Sequence, residues 1–266
     1  MFSDISVFGF GSAFSKDFSP TAMGFKKVDT YFFLEANQST FNYLKTFPDF
    51  SGIKKFVFLV THFHEDHAGC LGNCIAWLVY AMKVNLNQIS VSSPNPSETK
   101  EYLSITMPSL KDVPIFNDVE KFKVSHADFM DCTGYIVDAP LGKLAYTGDC
   151  TEVPRPILEE FNSGNLRLIT ECTLIKGSEV HQYLHDLIKK LDFSRLGNLM
   201  LVHHDSKVSF RESMNQIEGA VLAYLKHISS KTGFSPKEAD ERKDEVFKNL
   251  LEFKKTQELM LIFSYY

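Results

Sequence analysis

One seven-residue run constrains this chain more than anything else in it: Thr61-His62-Phe63-His64-Glu65-Asp66-His67. It follows residues 53–60, a nearly continuous apolar segment bounded by Gly52, which is the pattern of a strand buried on both faces. Such a strand, running out into three histidines and an aspartate, delivers ligand side chains to a loop at the edge of a sheet. His62 and His64 stand two apart, so an extended backbone points both the same way. Asp66 and His67 fall on the turn into a following helix and can reach a second centre. Imidazole suits zinc and related ions, and the carboxylate adds a hard oxygen donor with negative charge. The chain holds nine histidines in all, too few for this spacing to be an accident of composition.

The run alone supplies half of a binuclear site, and candidates for the rest stand where other strand-like segments end. His126 follows Phe122-Lys123-Val124-Ser125, Asp149 sits in Tyr146-Thr147-Gly148-Asp149-Cys150, and His203-His204 follows Leu199-Met200-Leu201-Val202. The small Gly148 would let the Asp149 carboxylate come close to the other ligands. His203 and His204 are rivals for one position. Two metals about 3.5–4 Å apart would lower the pKa of a shared water and stabilise charge at the attacked centre. Asp66 would orient that water and can take its proton. The expected reaction is hydrolysis, and the run does not name the bond.

Periodicity places further elements around this frame. Residues 5–10 and 28–35 read as strands about a Gly9-x-Gly11 turn, and 39–47 as a short helix. Residues 70–83 read as a largely apolar helix containing Trp77, 89–92 as a strand, and 97–104 as a polar helix. Strands are expected at 120–125, 133–138, 143–147, 167–170 and 198–202. Ser178 is a plausible N-cap for a helix with a stripe at Val180, Leu184, Leu187, Ile188 and Leu191. An amphipathic helix at 209–227, a charged helix at 236–256 and a strand at 259–265 complete the chain. No internal sequence repeat or low-complexity linker divides it, so residues 1–266 are expected to form one domain.

Composition narrows the function class. A net charge of −5 argues against nucleic-acid binding through broad basic patches, which requires Lys and Arg to displace counterions. No stretch reaches the roughly 18 apolar residues that span a bilayer, and the N-terminus has no basic-then-apolar leader pattern. Five cysteines without a regular framework read as reduced thiols. A cytoplasmic protein is expected.

The order H-x-H-x-D-H, His126, Asp149, His203 resembles the metallo-β-lactamase superfamily. That resemblance implies an α/β fold, the αββα sandwich, with two mixed β-sheets flanked by helices. It also implies ligand sets: His62, His64 and His126 for one ion, Asp66, His67 and His203 for the other, and Asp149 bridging. The ions implied are two divalent metals, zinc first and manganese second. Within the superfamily, roughly residues 1–207 resemble the tRNase Z-like phosphodiesterase branch. Phe8-Gly9-Phe10-Gly11-Ser12-Ala13 looks like its opening turn, and Leu168-Ile169-Thr170-Glu171-Cys172-Thr173 is similar to its His-Glu-Ala-Thr segment. His181 then matches the branch's catalytic histidine at the start of a helix, paired with Glu171, with His185 one turn on as its substitute. The branch's Asp-x-Gly after the second strand is replaced by Glu35-Ala36-Asn37, which removes an expected support.

Only 23 positions separate His126 from Asp149, leaving no room for the arm with which tRNase Z enzymes grip tRNA. In compactness the chain is similar to phage anti-Pycsar phosphodiesterases. The implied substrates are small cyclic mononucleotides (cyclic CMP and UMP, with cyclic AMP and GMP as extensions), hydrolysed to nucleoside monophosphates to evade cyclic-nucleotide antiphage immunity. The alternatives are a tRNase Z-like ribonuclease or a thioester or lactam hydrolase. The same resemblance implies a homodimer, with helix 70–83 as its contact or, equally, as part of the monomer core. No membrane partner is expected. Phe129, Tyr135 and the terminal Phe263-Ser264-Tyr265-Tyr266 are candidates to stack on a base.

Overall fold

Alternation along single strands explains the layering. In β4 (Lys55–Leu59), Val57 and Leu59 pack into one hydrophobic cluster, while Phe56 and Phe58 pack into another. In β10 (Leu199–Val202), Met200 and Val202 join the first of these clusters and Leu199 and Leu201 a third. Successive strand residues face opposite sides, so each sheet has two buried faces, and the shared cluster lies between the sheets. The computed structural model describes residues 2–230 and 235–263.

The first sheet runs β1 (Ser6–Gly9), β2 (Ala22–Lys27), β3 (Thr30–Leu34), β4 and β5 (Ile89–Ser92). The second runs β6 (Glu120–Lys123), β7 (Thr133–Ala139), β8 (Gly142–Tyr146), β9 (Arg167–Glu171) and β10. Both open with antiparallel pairs and continue in parallel. The chain therefore repeats one topology without a sequence repeat. Residues of α1 (Gln38–Lys45), α3 (Leu71–Ala76) and α4 (Pro96–Thr106) pack on the outer face of the first sheet. Residues of α5 (Arg155–Asn162), α6 (Leu184–Ile188), α7 (Lys207–Ser230) and α8 (Pro236–Phe263) cover the second. The architecture is the expected αββα arrangement of two mixed sheets between helices. No helix among the described residues is long and apolar enough to cross a membrane.

Four expectations need correction. The segment 28–35 is not one strand: Val28 takes a positive φ of 56° at the turn joining β2 to β3, and β2 itself was not anticipated. The helix at 70–83 is interrupted, with α3 passing into a π-helical turn at Trp77–Ala81. Its Leu71, Cys74, Ile75 and Leu78 are buried in the core. No helix starts at Ser178; α6 begins at Leu184. The apolar run after 258 is not a strand, because α8 continues through it. Val246, Leu250, Phe253, Gln257 and Met260 form one buried stripe at helical spacing. Residues 264–266 lie outside the described residues.

A buried ion pair fastens the N-terminus to β9. Arg167 donates to both Asp4 oxygens at 2.6 and 2.8 Å, and Asp4 also accepts the Leu141 N–H at 3.1 Å. Burial opposes ionisation of Asp4, but these donors hold its carboxyl below the usual carboxylate range. Asp4→Ala would take the paired carboxylate from a buried guanidinium. We expect it to cost about 3–5 kcal/mol, measured as a lower urea midpoint at unchanged m value.

Candidate metal centre

The parallel strands share a direction, so the loops leaving their carboxyl ends gather at one edge of the sandwich. Those ends are where α/β sheets place their ligands. β3 leads to Glu35, β4 to Thr61 and His62, β8 to Asp149, and β10 to His203; Glu171 ends β9. β6 runs the same way as β8 through two antiparallel pairings and leads to His126. The short α2 (Glu65–Ala68) turns the histidine run back toward the site, with the Ala68 N–H donating to the His64 carbonyl at 2.9 Å.

Three groups of donor atoms result, each with its atoms within 4.8 Å of one another: His62, His64 and His126; Asp66, His67, Asp149 and His203; and His126, Asp149, Glu171 and His181. In the first, the His64 Nδ1 lies 2.9 Å from His62 Nε2 and 3.3 Å from His126 Nε2. In the second, His67 Nε2 is 3.4 Å from Asp66 Oδ2 and 3.3 Å from Asp149 Oδ1. His203 Nε2 is 3.5 Å from Asp66 Oδ2 and 3.3 Å from Asp149 Oδ2. The two Asp149 oxygens thus face different histidines.

These spacings test whether a metal fits. A tetrahedral ion with bonds of about 2.0–2.1 Å holds its donors about 3.3 Å apart, close to the separations here. The Nε2 atoms of His67 and His203 are buried and make no hydrogen bond among the described residues, although carboxylate oxygens are near. Buried ring nitrogens aimed at a common point, with their opposite nitrogens engaged, are what metal ligation requires. The donor set fits divalent cations.

The engaged nitrogens define the supporting layer. His126 Nδ1 donates to the Val180 carbonyl at 2.7 Å, leaving Nε2 for the cluster. Thr61 Oγ1 lies 3.1 Å from His62 Nδ1 and donates to Glu35 Oε1 at 2.6 Å. The same Glu35 oxygen is 3.1 Å from His67 Nδ1, with both side chains essentially fully buried. One carboxylate therefore steadies a histidine of each of the first two groups. Glu35 was missed as a functional residue because it departs from the Asp-x-Gly pattern. The available signal was an acid ending the apolar strand Tyr31-Phe32-Phe33-Leu34. Asn37, the third residue of that segment, caps α1 and donates to the Asp66 carbonyl at 2.6 Å. We expect Glu35→Gln to lower zinc affinity by about 10–100-fold, read by competition against a chromophoric chelator.

Gly148 is required for close approach rather than for turning alone. Its φ is +60°, and a Cβ would meet the Thr61 side chain at 2.5–2.7 Å. His203 also adopts a left-handed backbone, φ 66°. His203 joins the cluster, while His204 turns away with Nε2 3.3 Å from the Leu201 carbonyl and its ring against Phe10 and Phe210. Burial pushes His204 down to about 4. Burial acts the same way on His203, but Asp149 and its neighbours outweigh it and raise the ring to about 10. Burial, then His67, depresses His62 well below the ordinary imidazole value. Burial works against ionising Asp66, yet His203 and His67 hold it far below its usual range.

Glu171 and His181 meet beside the ligands. His181 Nδ1 donates to Glu171 Oε2 at 2.7 Å, and the same oxygen lies 3.4 Å from His203 Nδ1. Glu171 is fully buried and its other oxygen accepts the Cys150 N–H. His181 stands on a loop, not on a helix. Thr173 and Tyr183 bridge the loop's ends, and the Ser178 hydroxyl accepts the His181 N–H at 3.0 Å within a local turn. His185 is exposed on α6 and belongs to none of the donor groups. Tyr135 is fully buried, its hydroxyl donating to the Val60 carbonyl at 2.7 Å, and cannot stack on a ligand. Of the terminal candidates, Ser264, Tyr265 and Tyr266 lie outside the described residues.

No protein-family model matches the chain, and no curated protein matches it. Solved structures do. The metallo-β-lactamase fold protein YhfI of Bacillus subtilis aligns with a TM-score of 0.58 at 12% identity, over 80% of this chain and 90% of that one. The short form of human tRNase Z aligns with a TM-score of 0.55 at 18% identity, over 76% and 93%. A diphosphatase of the PhnP family aligns with a TM-score of 0.56 at 15% identity, over 80% and 90%. The chain has the metallo-β-lactamase fold.

Proposed function

We propose that this protein is a binuclear metal-dependent phosphodiesterase that hydrolyses cyclic mononucleotides to nucleoside monophosphates. The observation that carries the reading is the Glu171–His181 pair, set 2.7 Å apart with His181 Nδ1 3.9 Å from Asp149 Oδ2. Thioester or lactam hydrolysis needs no such second acid beside the metal ligands. Among solved structures of the same fold, tRNase Z and a PhnP-family diphosphatase are named for phosphoryl chemistry.

His62, His64 and His126 would hold one ion and Asp66, His67 and His203 a second, with Asp149 facing both groups. Divalent ions there, zinc or manganese, would acidify water and offset charge on the phosphate. Asp66, at the rim of the cluster, would accept a hydrogen bond from the attacking water and orient it, the water's proton passing to solvent on activation. As the new P–O bond forms, the bond from phosphorus to the ribose oxygen breaks. His181 Nδ1 is committed to Glu171, so Nε2 carries the proton to that leaving oxygen. Burial opposes charge on His181, but Glu171 outweighs it and raises the ring above its ordinary value, keeping the acid protonated at higher pH.

The connection between β6 and β7 spans only residues 124–132, which favours a small diester over a folded RNA. Incubation with zinc or manganese and a panel of cyclic mononucleotides, cyclic dinucleotides and pre-tRNA tests this. Release of linear monophosphates from cyclic mononucleotides supports the reading; cleavage of pre-tRNA with cyclic mononucleotides intact would overturn it. An activity of this kind would serve evasion of cyclic-nucleotide antiphage immunity.

A further inference from the structure

The β6–β7 loop is short and pinned. At one end the Thr151 N–H donates to the Ser125 carbonyl at 2.6 Å, and at the other the Thr133 N–H donates to the Thr61 carbonyl at 3.0 Å. Both anchors are segments that carry ligand residues, so the loop's tip is held in register with the donor cluster. At that tip stands Phe129, which is 80% exposed. A single exposed phenylalanine needs no explanation by itself; its neighbours supply one. Its ring centre is 6.3 Å from that of His64, itself only partly buried. A line of rings leads from it across the site: His64 to His126 at 5.2 Å, then His126 to His181 at 5.2 Å. The proton-carrying histidine lies at one end of that line and an unpartnered aromatic face at the other.

We propose that Phe129 is a stacking platform for the nucleobase. The site then selects phosphodiesters that bear a planar aromatic group one sugar away from the phosphorus. With the phosphate at the donor cluster, the exposed Phe129 ring beside His64 offers the base a face to stack on. Stacking on a phenyl ring is tolerant of base identity because every base presents a π-face. The platform therefore separates nucleotides from base-free diesters and discriminates weakly among the four bases. This rests on the phosphodiesterase reading above and adds to it the group that is recognised.

The experiment compares KM for a cyclic mononucleotide with KM for base-free ribose 3′,5′-cyclic phosphate, in the metal-loaded protein. Wild type should favour the nucleotide by about tenfold or more, the range in which aromatic stacking on a base falls. Phe129→Ala should bring the ratio to near one, chiefly through KM, and Phe129→Trp should restore it. In Phe129→Trp the added indole should be quenched by a non-hydrolysable cyclic nucleotide phosphorothioate and not by inorganic phosphate. The native Trp77, packed on Phe41 and Phe47, serves as the unresponsive control in wild type. A ratio unchanged in Phe129→Ala overturns the platform while leaving the phosphodiesterase intact. Failure of wild type to hydrolyse either diester would overturn the functional reading itself.

Discussion

Replacing His181 with alanine should lower kcat on the preferred diester by about 10²–10⁴-fold, the usual worth of a positioned general acid, while metal content stays at the wild-type level. The separation of the two readouts follows from the geometry. His181 Nδ1 is bound to Glu171 at 2.7 Å, so the ring's free nitrogen is available to substrate and not required by the metal ligands. The candidate ligand His126 is held by the backbone of the same loop, through the Val180 carbonyl at 2.7 Å, a contact that side-chain truncation at 181 does not remove. Metal analysis by plasma mass spectrometry alongside steady-state kinetics checks the prediction. Loss of metal in this variant would reassign His181 as a ligand. A substrate with an activated leaving group, such as bis-p-nitrophenyl phosphate, should lose far less, because p-nitrophenolate departs without a proton.

Glu171 ties this acid to the metal ligands more closely than sequence could suggest. Its Oε2 serves His181 and approaches His203 Nδ1 at 3.4 Å, so one carboxylate orients the proposed proton donor and a candidate ligand together. His62 and His203 were legible because they closely follow the apolar strands β4 and β10, and His64, Asp66 and His67 because they share the His62 run. His126 follows the short polar β6 and Asp149 the Gly148 turn after β8. His203 over His204 was less legible. Both follow β10, and adjacent side chains diverge in any case. Which of them joins the cluster is decided by the turn at His203, whose φ is 66°, and no strand pattern marks that turn. Glu35 was hidden for another reason. Its role depends on Thr61 and His67 across a tertiary contact, and an acid at the end of an apolar strand does not by itself name the residues it supports.

Elsewhere in the fold the same division holds. β4 and β10 have both faces buried, and their apolar runs announce them. The strand wrongly expected at 259–265 had the same apolar run, yet the stripe that includes Gln257 and Met260 continues the helical period of α8. A continuous apolar segment fits a buried strand or a buried helix face equally well, and the preceding turns decide. The repeated topology of the two sheets left no sequence repeat because alternating burial specifies strands without specifying residue identity.

Asp149 should be the least replaceable residue of the centre. Its Oδ1 lies 3.3 Å from His67 Nε2, and its Oδ2 lies 3.3 Å from His203 Nε2 and 3.8 Å from His126 Nε2. It therefore addresses members of both proposed ligand sets. Asparagine at this position keeps the shape but removes the charge and one oxygen donor, so under the proposed assignment both ions would lose a shared anionic ligand. The loss should exceed the 10–100-fold in metal affinity typical of a supporting residue, with hydrolysis falling in parallel because the ions supply the nucleophile. Stability gives an independent reading. A ligand present at a thousand times its Kd stabilises the folded state by about 4 kcal/mol, so zinc should raise the melting temperature of wild type clearly above its value in chelator. Asp149→Asn should melt at nearly the same temperature with and without zinc, and Glu35→Gln should fall between them. A full zinc-dependent shift in Asp149→Asn would mean that the histidines alone hold the metal, and the bridging assignment would have to be abandoned.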